Sequence, residues 1–369
     1  MRPVHGGNLA WAAEIAGCSP NSLLDLSASI NPLGPPDSVL VAIQGAMGRL
    51  QHYPDPYYGE LRAALANYHG LAADWLLPGN GAAELLTWAA RDLDLSANSQ
   101  PAAAYVLVPA FGDYQRALQS FGVTCLPWPL LASQASDRAV SELGLFNADL
   151  SFPETAAGCL INNPHNPTGY LLAAQDLLPL LERFSLVVVD EAFMDFLPPS
   201  QAQSLIPWVT EHPNLVVVRS LTKFYALPGL RIGYAIGHPD RLRRWQQWRD
   251  PWPVNELAVA AAIAAVADHE FQAQTWQWLP PARQALWDGL ANLPGLYPLM
   301  GAANYLLVQA EQSVLPLQER LLKQHRILIR DCLSFAELGD RYLRVAVRTN
   351  FENERFLTAL QSCWPYHAE

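Results

Sequence analysis

Charge, paired cysteines and long apolar runs are all scarce in this sequence, and each scarcity removes a class of protein. Only 15% of the 369 residues are Asp, Glu, Lys or Arg, against roughly 25% in an average domain. Within that small set, 34 acidic residues outnumber 23 basic ones, giving a net charge of −11. No nucleic-acid partner is expected, because a phosphate backbone demands a basic face. A local basic pocket for a small anion remains compatible with that balance. The five cysteines, Cys18, Cys125, Cys159, Cys332 and Cys363, are scattered, with no C-x-x-C pair. That spacing suits neither a zinc site nor a disulfide framework, so no metal and a reducing, cytoplasmic setting are expected. The longest apolar run, Leu257–Ala267, has eleven residues and stops at Asp268, whereas a membrane span needs about 20. The opening MRPVHGGNLAWAAEIAG has no basic segment leading into an apolar core, so no secretory signal is expected.

What the sequence does have is apolar surface. Hydrophobic residues make up 51% of it, enough to offset chain entropy and exclude disorder as the dominant state. A mass of 40.7 kDa suits one large domain with a smaller companion. Thirty prolines, about 8% against the usual ~5%, imply many sharp connections. Ala104–Val108, Cys159–Asn162, Leu186–Val189, Leu215–Val218 and Ile232–Ile236 are short, β-branched and apolar at consecutive positions. Both faces of such strands should be buried, as in a parallel sheet between helices. Helix-like stretches alternate with them: Glu60–Tyr68, Ala82–Leu93, Asp113–Phe121 and Ala173–Arg183. The alternation predicts a doubly wound α/β domain. Beyond about residue 245 the character changes, with an Ala-rich helix (Asn255–Ala267), strands at Tyr305–Val308, Ile327–Arg330 and Leu343–Val347, and a terminal helix near Glu352–Cys363. This reads as a smaller α/β domain completed by the N-terminal segment.

In open α/β sheets, ligands bind beyond the carboxyl ends of the strands. The loop Asn163-Pro-His-Asn-Pro-Thr-Gly169 follows one predicted strand, Asp190-Glu191-Ala192-Phe193 a second, and Arg219-Ser220-Leu-Thr222-Lys223 a third. An amide, a carboxylate, hydroxyls and a lysine therefore converge on one edge. A lysine there can form a Schiff base when its amine is neutral part of the time. An acid on the neighbouring strand can hold a proton on a pyridine nitrogen, with a hydrogen bond to a charged group worth ~1.5–3 kcal/mol. Ser220, Thr222 and Arg231 can gather a phosphate. So can Gly79-Asn80-Gly81-Ala82-Ala83, where a helix begins and free N–H groups meet the positive dipole end.

These motifs, in this order and with eight positions from Lys223 to Arg231, resemble the signatures of the fold-type I pyridoxal-phosphate enzymes, the aspartate aminotransferase superfamily. His5-Gly-Gly-Asn8, Ser27-Ala-Ser-Ile-Asn31-Pro-Leu-Gly34, Tyr53-Pro-Asp-Pro56 and Arg344-Val-Ala-Val-Arg348 extend the likeness over nearly the whole chain. Within the superfamily they are similar to the histidinol-phosphate aminotransferases and, most, to the threonine-phosphate decarboxylases of cobalamin biosynthesis. The resemblance implies a large domain over 35–250 with a mostly parallel sheet flanked by helices, and a smaller α/β domain from 1–34 and 251–369. It implies pyridoxal 5'-phosphate as cofactor, Lys223 as the Schiff-base lysine, Asp190 on the ring nitrogen, Asn166 on the ring oxygen and Phe111 stacked on the ring. Asn80, Gly81, Ala82, Ser220, Thr222 and Arg231 would take the cofactor phosphate. Tyr53 would reach the phosphate of the neighbouring subunit, making a homodimer. Arg330 and Arg344 would hold the anionic groups of a phosphorylated amino acid, with His5 and Asn31 approaching from the N-terminal segment.

Each residue also has a plainer reading. Asp190 could cap the next helix, Phe111 could be core, His5 could belong to an ordinary flexible terminus, and Arg344 or Arg348 could pair on the surface with Glu352 or Glu354. His165 reads as loop filler rather than a base. One departure bears on the reaction: histidinol-phosphate aminotransferases usually carry Tyr where this chain has Phe193, which cannot donate a hydrogen bond. By resemblance that favours decarboxylation of L-threonine O-3-phosphate over transamination. A silent binding module of the same fold is the third reading, opposed by the intact Lys223, Asp190 and Arg231.

Overall fold

The computed structural model describes residues 3, 5–97, 101–130 and 156–364. Its strands, numbered in chain order, are β1 (Leu24–Asp25), β2 (Leu76–Gly79), β3 (Ala103–Val108), β4 (Thr124–Pro129), β5 (Gly158–Asn162), β6 (Leu186–Asp190), β7 (Leu215–Ser220) and β8 (Gly233–Gly237). Five more follow: β9 (Leu296–Pro298), β10 (Tyr305–Ala310), β11 (Ile327–Leu328), β12 (Arg330–Asp331) and β13 (Tyr342–Ala346).

Seven strands form the main sheet in the order β2-β8-β7-β6-β5-β3-β4. β8 runs antiparallel to β2 and β7, and the other pairs are parallel. The apolar runs explain it. Val187–Val189 and Val216–Val218 are fully buried, as residues covered on both faces must be. Two strands escape a reading of apolar runs. β2 contains Pro78, and β4 contains Pro127 and Pro129; both strands lie at the sheet's edges, where a missing N–H breaks no ladder.

A second, antiparallel sheet has the order β12-β13-β10-β9, and a parallel pair joins β1 to β11. The stretch expected as one strand over Ile327–Arg330 is thus divided: β11 pairs with the N-terminal segment and β12 with β13. The helix expected over Ala173–Arg183 is also divided, into Ala174–Leu177 and Pro179–Arg183, because Pro179 supplies no N–H to continue the first piece. The Ala-rich helix Glu256–Ala267 starts on Asn255, whose side chain accepts from the Ala258 N–H at 2.9 Å. It packs on the helices Asp37–Ala46 and Gly59–His69. A 23-residue helix, His269–Ala291, follows it and carries Trp276 and Trp278. Among the described residues no helix is long and apolar enough to cross a membrane.

Candidate active site

The parallel strands deliver their carboxyl ends side by side. Asn162 ends β5, Asp190 ends β6 and Ser220 ends β7, with Asn162 directly opposite Asp190 in the ladder. A cavity of about 220 Å³ opens beyond them. His5, Ala82, Phe111, Asn166, Asp190, Ser220, Thr222, Lys223, Arg231, Arg330 and Arg344 all line it. Eleven of the fifteen sequence-predicted residues are therefore brought together.

Lys223 sits in the single helical turn Leu221–Phe224 that follows β7. It is one of only two lysines in the chain, the other being Lys323. Its amine makes no ion pair among the described residues. Burial pushes its pKa down to about 8, and the positive charges of Arg344 and Arg231 act in the same direction, against Asp25 and Asp190. On the facing side, burial raises Asp190 to about 6, opposed by hydrogen bonds from Tyr114 and from the Ala192 N–H. Tyr114 Oη donates to Asp190 Oδ2 at 2.7 Å, and the Ala192 N–H donates to Oδ1 at 3.0 Å. At neutral pH this carboxyl is mostly ionised.

The wall between them is held by amides. Asn162 Nδ2 donates to the Asp190 carbonyl at 2.7 Å, and its Oδ1 accepts the Asn166 N–H at 2.6 Å. Arg344 Nη1 donates to Asn166 Oδ1, which leaves the Asn166 amide nitrogen for an acceptor in the cavity. Phe111 is the residue before the helix Gly112–Gln119, and its ring lies 5.6 Å from His5 and 5.8 Å edge-on from Tyr114.

A cradle for an anion lies at the start of the helix Ala82–Ser96. Gly81 precedes it with φ +77°, and a Cβ there would stand 2.6 Å from Arg231 Nη2. A Cβ on Gly233 would stand 2.8 Å from the Ala82 nitrogen. Both positions must stay bare for guanidinium and helix N–H groups to converge. Ser220 and Thr222 add hydroxyls 2.7 Å apart. Asn80 departs from expectation. Its backbone N–H is taken by Glu84 Oε2 at 2.6 Å, because that carboxylate folds back to cap the helix start, and its side chain is exposed.

Asn31 does not line the cavity: its Nδ2 donates to the Phe224 carbonyl and to Thr275 Oγ1, each at 2.9 Å. With its backbone N–H on the Lys223 carbonyl at 3.0 Å, it braces the lysine's turn and has no donor left for a ligand. Tyr53 is 81% exposed, against Trp252 at 4.6 Å between ring centroids, and is no part of the cavity of its own chain. The surface-pair reading of Arg344 fails, since Arg344 is buried over the Tyr305 ring at 5.0 Å; Arg348 takes Glu352 instead, at 2.9 Å.

Arg344 Nη2 donates to the Ser27 carbonyl at 3.1 Å, while its buried Nε has no partner among the described residues. Arg330, also buried, is held by Ser334 and by the Pro3 carbonyl. His5 is pushed down by burial and then by Arg330, so it tends to be neutral. Among the described residues lining the cavity, Lys223, Arg231, Arg330 and Arg344 face Asp190 as the single carboxylate. The cavity is cationic in a protein of net charge −11, and that contrast selects anions.

Sequence reasoning passed over Tyr114 and Arg219. Tyr114 lies one helical turn from Phe111, a spacing that was there to be read. Arg219 is buried between Glu191 at 2.9 Å and Asp195, and locks β7 to the chain after β6. It borders a larger cleft of about 900 Å³ with Tyr68 and Trp276. There the polar groups already satisfy one another: Arg219 with Asp195, Trp276 Nε1 with the Asp195 carbonyl. The smaller cavity carries the chemistry.

A family model, aminotransferase class I and II, matches residues 21–360. The chain belongs to the class I and II aminotransferases. It is 40% identical to a threonine-phosphate decarboxylase of Salmonella typhimurium over 97% of this chain and 96% of that protein. To histidinol-phosphate aminotransferase 2 of Nitrosospira multiformis it is 33% identical over 96% and 87%. The crystal structure of the histidinol-phosphate aminotransferase from Clostridium acetobutylicum superposes with a TM-score of 0.82 at 28% identity, covering 92% of this chain and 98% of that one. The mostly parallel sheet flanked by helices is thus that of class I and II aminotransferases.

Proposed function

We propose that this member of the class I and II aminotransferase family is a pyridoxal-phosphate-dependent carboxy-lyase that converts L-threonine O-3-phosphate to (R)-1-amino-2-propanol O-2-phosphate in cobalamin biosynthesis. The observation that carries the reading is the 40% identity, end to end, with a threonine-phosphate decarboxylase. The donor set supports it. Arg231 and the bare helix start suit one phosphate, and two further buried arginines, Arg330 and Arg344, line the same cavity, as a substrate with two anionic groups would need. Phosphothreonine, with a carboxylate and a phosphate, has both.

The residues fit the cofactor. Lys223 would hold it covalently, Asp190 would face the ring nitrogen, Asn166 the ring oxygen and Phe111 the ring face, while Ala82, Ser220, Thr222 and Arg231 would take its phosphate. Bound there, pyridoxal phosphate supplies an electron sink conjugated to the substrate's α-carbon. The protein's own part is electrostatic and geometric. Asp190, ionised at neutral pH, keeps a proton on the ring nitrogen. Arg344 and Arg330 would hold the substrate's anionic ends and so select which bond to its α-carbon is presented to that electron sink. They must hold the carboxylate without stabilising it so well that leaving becomes harder, since only differential binding accelerates a step. Lys223, freed when the substrate's own amine takes its place on the cofactor, would have an amine with a pKa of about 8, suited to give a proton to the α-carbon in place of the carboxylate lost as carbon dioxide.

We further propose a large domain over 35–250, a small one from 1–34 and 251–369, and a homodimer. For the dimer, Met47, Leu50, Tyr53, Tyr57 and Trp252 expose large apolar side chains, Tyr53 against Trp252, and Tyr53 lies outside the cavity of its own chain. Incubation with phosphothreonine, with and without 2-oxoglutarate, tests the reaction. Carbon dioxide released independently of the keto acid is expected; release of none, with glutamate formed instead, makes the protein a transaminase.

A further inference from the structure

Asp190 has two oxygens, and the protein has already assigned a donor to each. The Ala192 N–H serves Oδ1 from the turn after β6, and the Tyr114 hydroxyl serves Oδ2 at 2.7 Å from a helix 76 positions earlier in the chain. Tyr114 is itself buried, in the cluster of apolar side chains beneath the helix Ala82–Ser96. A phenol buried there could have ended on a backbone carbonyl; this one ends on the carboxylate at the ring-nitrogen position. We infer that Tyr114 is a positioning residue that fixes the rotamer of Asp190 and keeps its carboxylate ionised, so that a proton shared with a pyridine nitrogen stays on the nitrogen.

The helix supplying it makes the arrangement economical. Phe111 accepts the Tyr114 N–H through its carbonyl at 3.1 Å, so one turn presents an aromatic face to the cavity and, three residues on, a hydroxyl to Asp190. The direction of the bond is not ambiguous. Burial and the neighbouring Asp190 carboxylate both push the phenol's pKa well up, so Tyr114 remains the donor throughout the working pH range.

The groups acting on Asp190 pull in opposite directions. Burial raises its pKa most, and the Asp113 carboxylate on the same helix as Tyr114 adds to that; the Lys223 amine lowers it. The Tyr305 phenol on β10 also feels the Asp190 charge. The Tyr114 bond is the largest of the influences that lower it. A hydrogen bond to a charged group is worth one or two factors of ten in an equilibrium constant. Without it, a carboxyl now near 6 would titrate close to neutrality and compete with the ring for the shared proton.

The inference rests on pyridoxal phosphate occupying this cavity, and the test separates the two. Tyr114→Phe keeps the packed ring and removes only the oxygen. In the cofactor-free full-length protein, carbon-13 NMR of the aspartate carboxyls, with Asp190 assigned by Asp190→Asn, should show the Asp190 midpoint moving up by about one pH unit. In the holoenzyme loaded with cofactor labelled at the ring nitrogen, the nitrogen-15 shift should move toward that of unprotonated pyridine, and Tyr114→His, which can still donate, should restore part of it. A merely structural tyrosine would move neither signal, and an unmoved Asp190 midpoint overturns the inference. If the wild-type protein takes up no cofactor, the functional reading fails, while the carboxyl titration alone still decides the role of Tyr114.

Discussion

Lys223 should weaken the very fold that uses it, and Lys223→Met exposes the conflict. Its amine falls from the ordinary 10.5 to about 8, a difference that corresponds to ~3 kcal/mol of disfavoured charge. The side chain is only partly buried, and water in the cavity shares its solvation, which trims the expected penalty to about 2 kcal/mol. Methionine fills a similar volume without the charge. The cofactor-free variant should therefore unfold at higher urea than the cofactor-free parent at pH 7, compared at equal protein concentration. The sign with pH is determined by the folded pKa lying below the unfolded one. The penalty is complete below about pH 8, where both states carry the proton, and disappears as pH rises toward 10.5, where neither does. The gap between variant and parent should accordingly narrow between pH 8 and pH 10. Borohydride trapping of pyridoxal phosphate should label the parent at Lys223, leave exposed Lys323 unmodified and give nothing in the variant. A variant no more stable than the parent at pH 7, or a gap that widens with pH, would refute the claim that this amine is held at an energetic cost.

Arg219→Met should be destabilising by ~3–5 kcal/mol, the usual result of stripping a buried ion pair of one partner, because Glu191 and Asp195 are left with no counterion between them. Both carboxyls are already raised by burial and would rise further, so the loss should be larger at pH 8 than at pH 5, read as urea midpoints. Mixing Lys223→Ala with Tyr53→Ala subunits should recover up to about a quarter of parental activity, since half the mixed dimers would hold one complete site of two; no recovery after subunit exchange argues that Tyr53 does not act across an interface.

Lys223, Asp190, Asn166 and Ser220 were legible because a parallel sheet leaves little freedom. Consecutive valines can only be central strands, and the residues that follow them must meet along one edge. The family likeness then named each neighbour. What stayed hidden depends on chain segments far apart in sequence. Asn31 has the composition of a ligand, yet its amide is consumed by Phe224 and Thr275, 193 and 244 positions away. Asn80 loses its N–H to a glutamate four residues on, a local capping choice that a Gly-Asn-Gly turn does not announce.

Local pattern alone thus determined where strands end and which reactive groups stand there, because burial on both faces is written into consecutive apolar positions. Only the tertiary structure decided the electrostatics. That Lys223 lies near two arginines without an ion pair, that Tyr114 closes on Asp190, and that Arg344 is buried over a tyrosine ring rather than paired at the surface follow from how helices and sheets distant in sequence exclude water from the same small volume. Desolvation belongs to an assembled cavity, and no segment carries it alone.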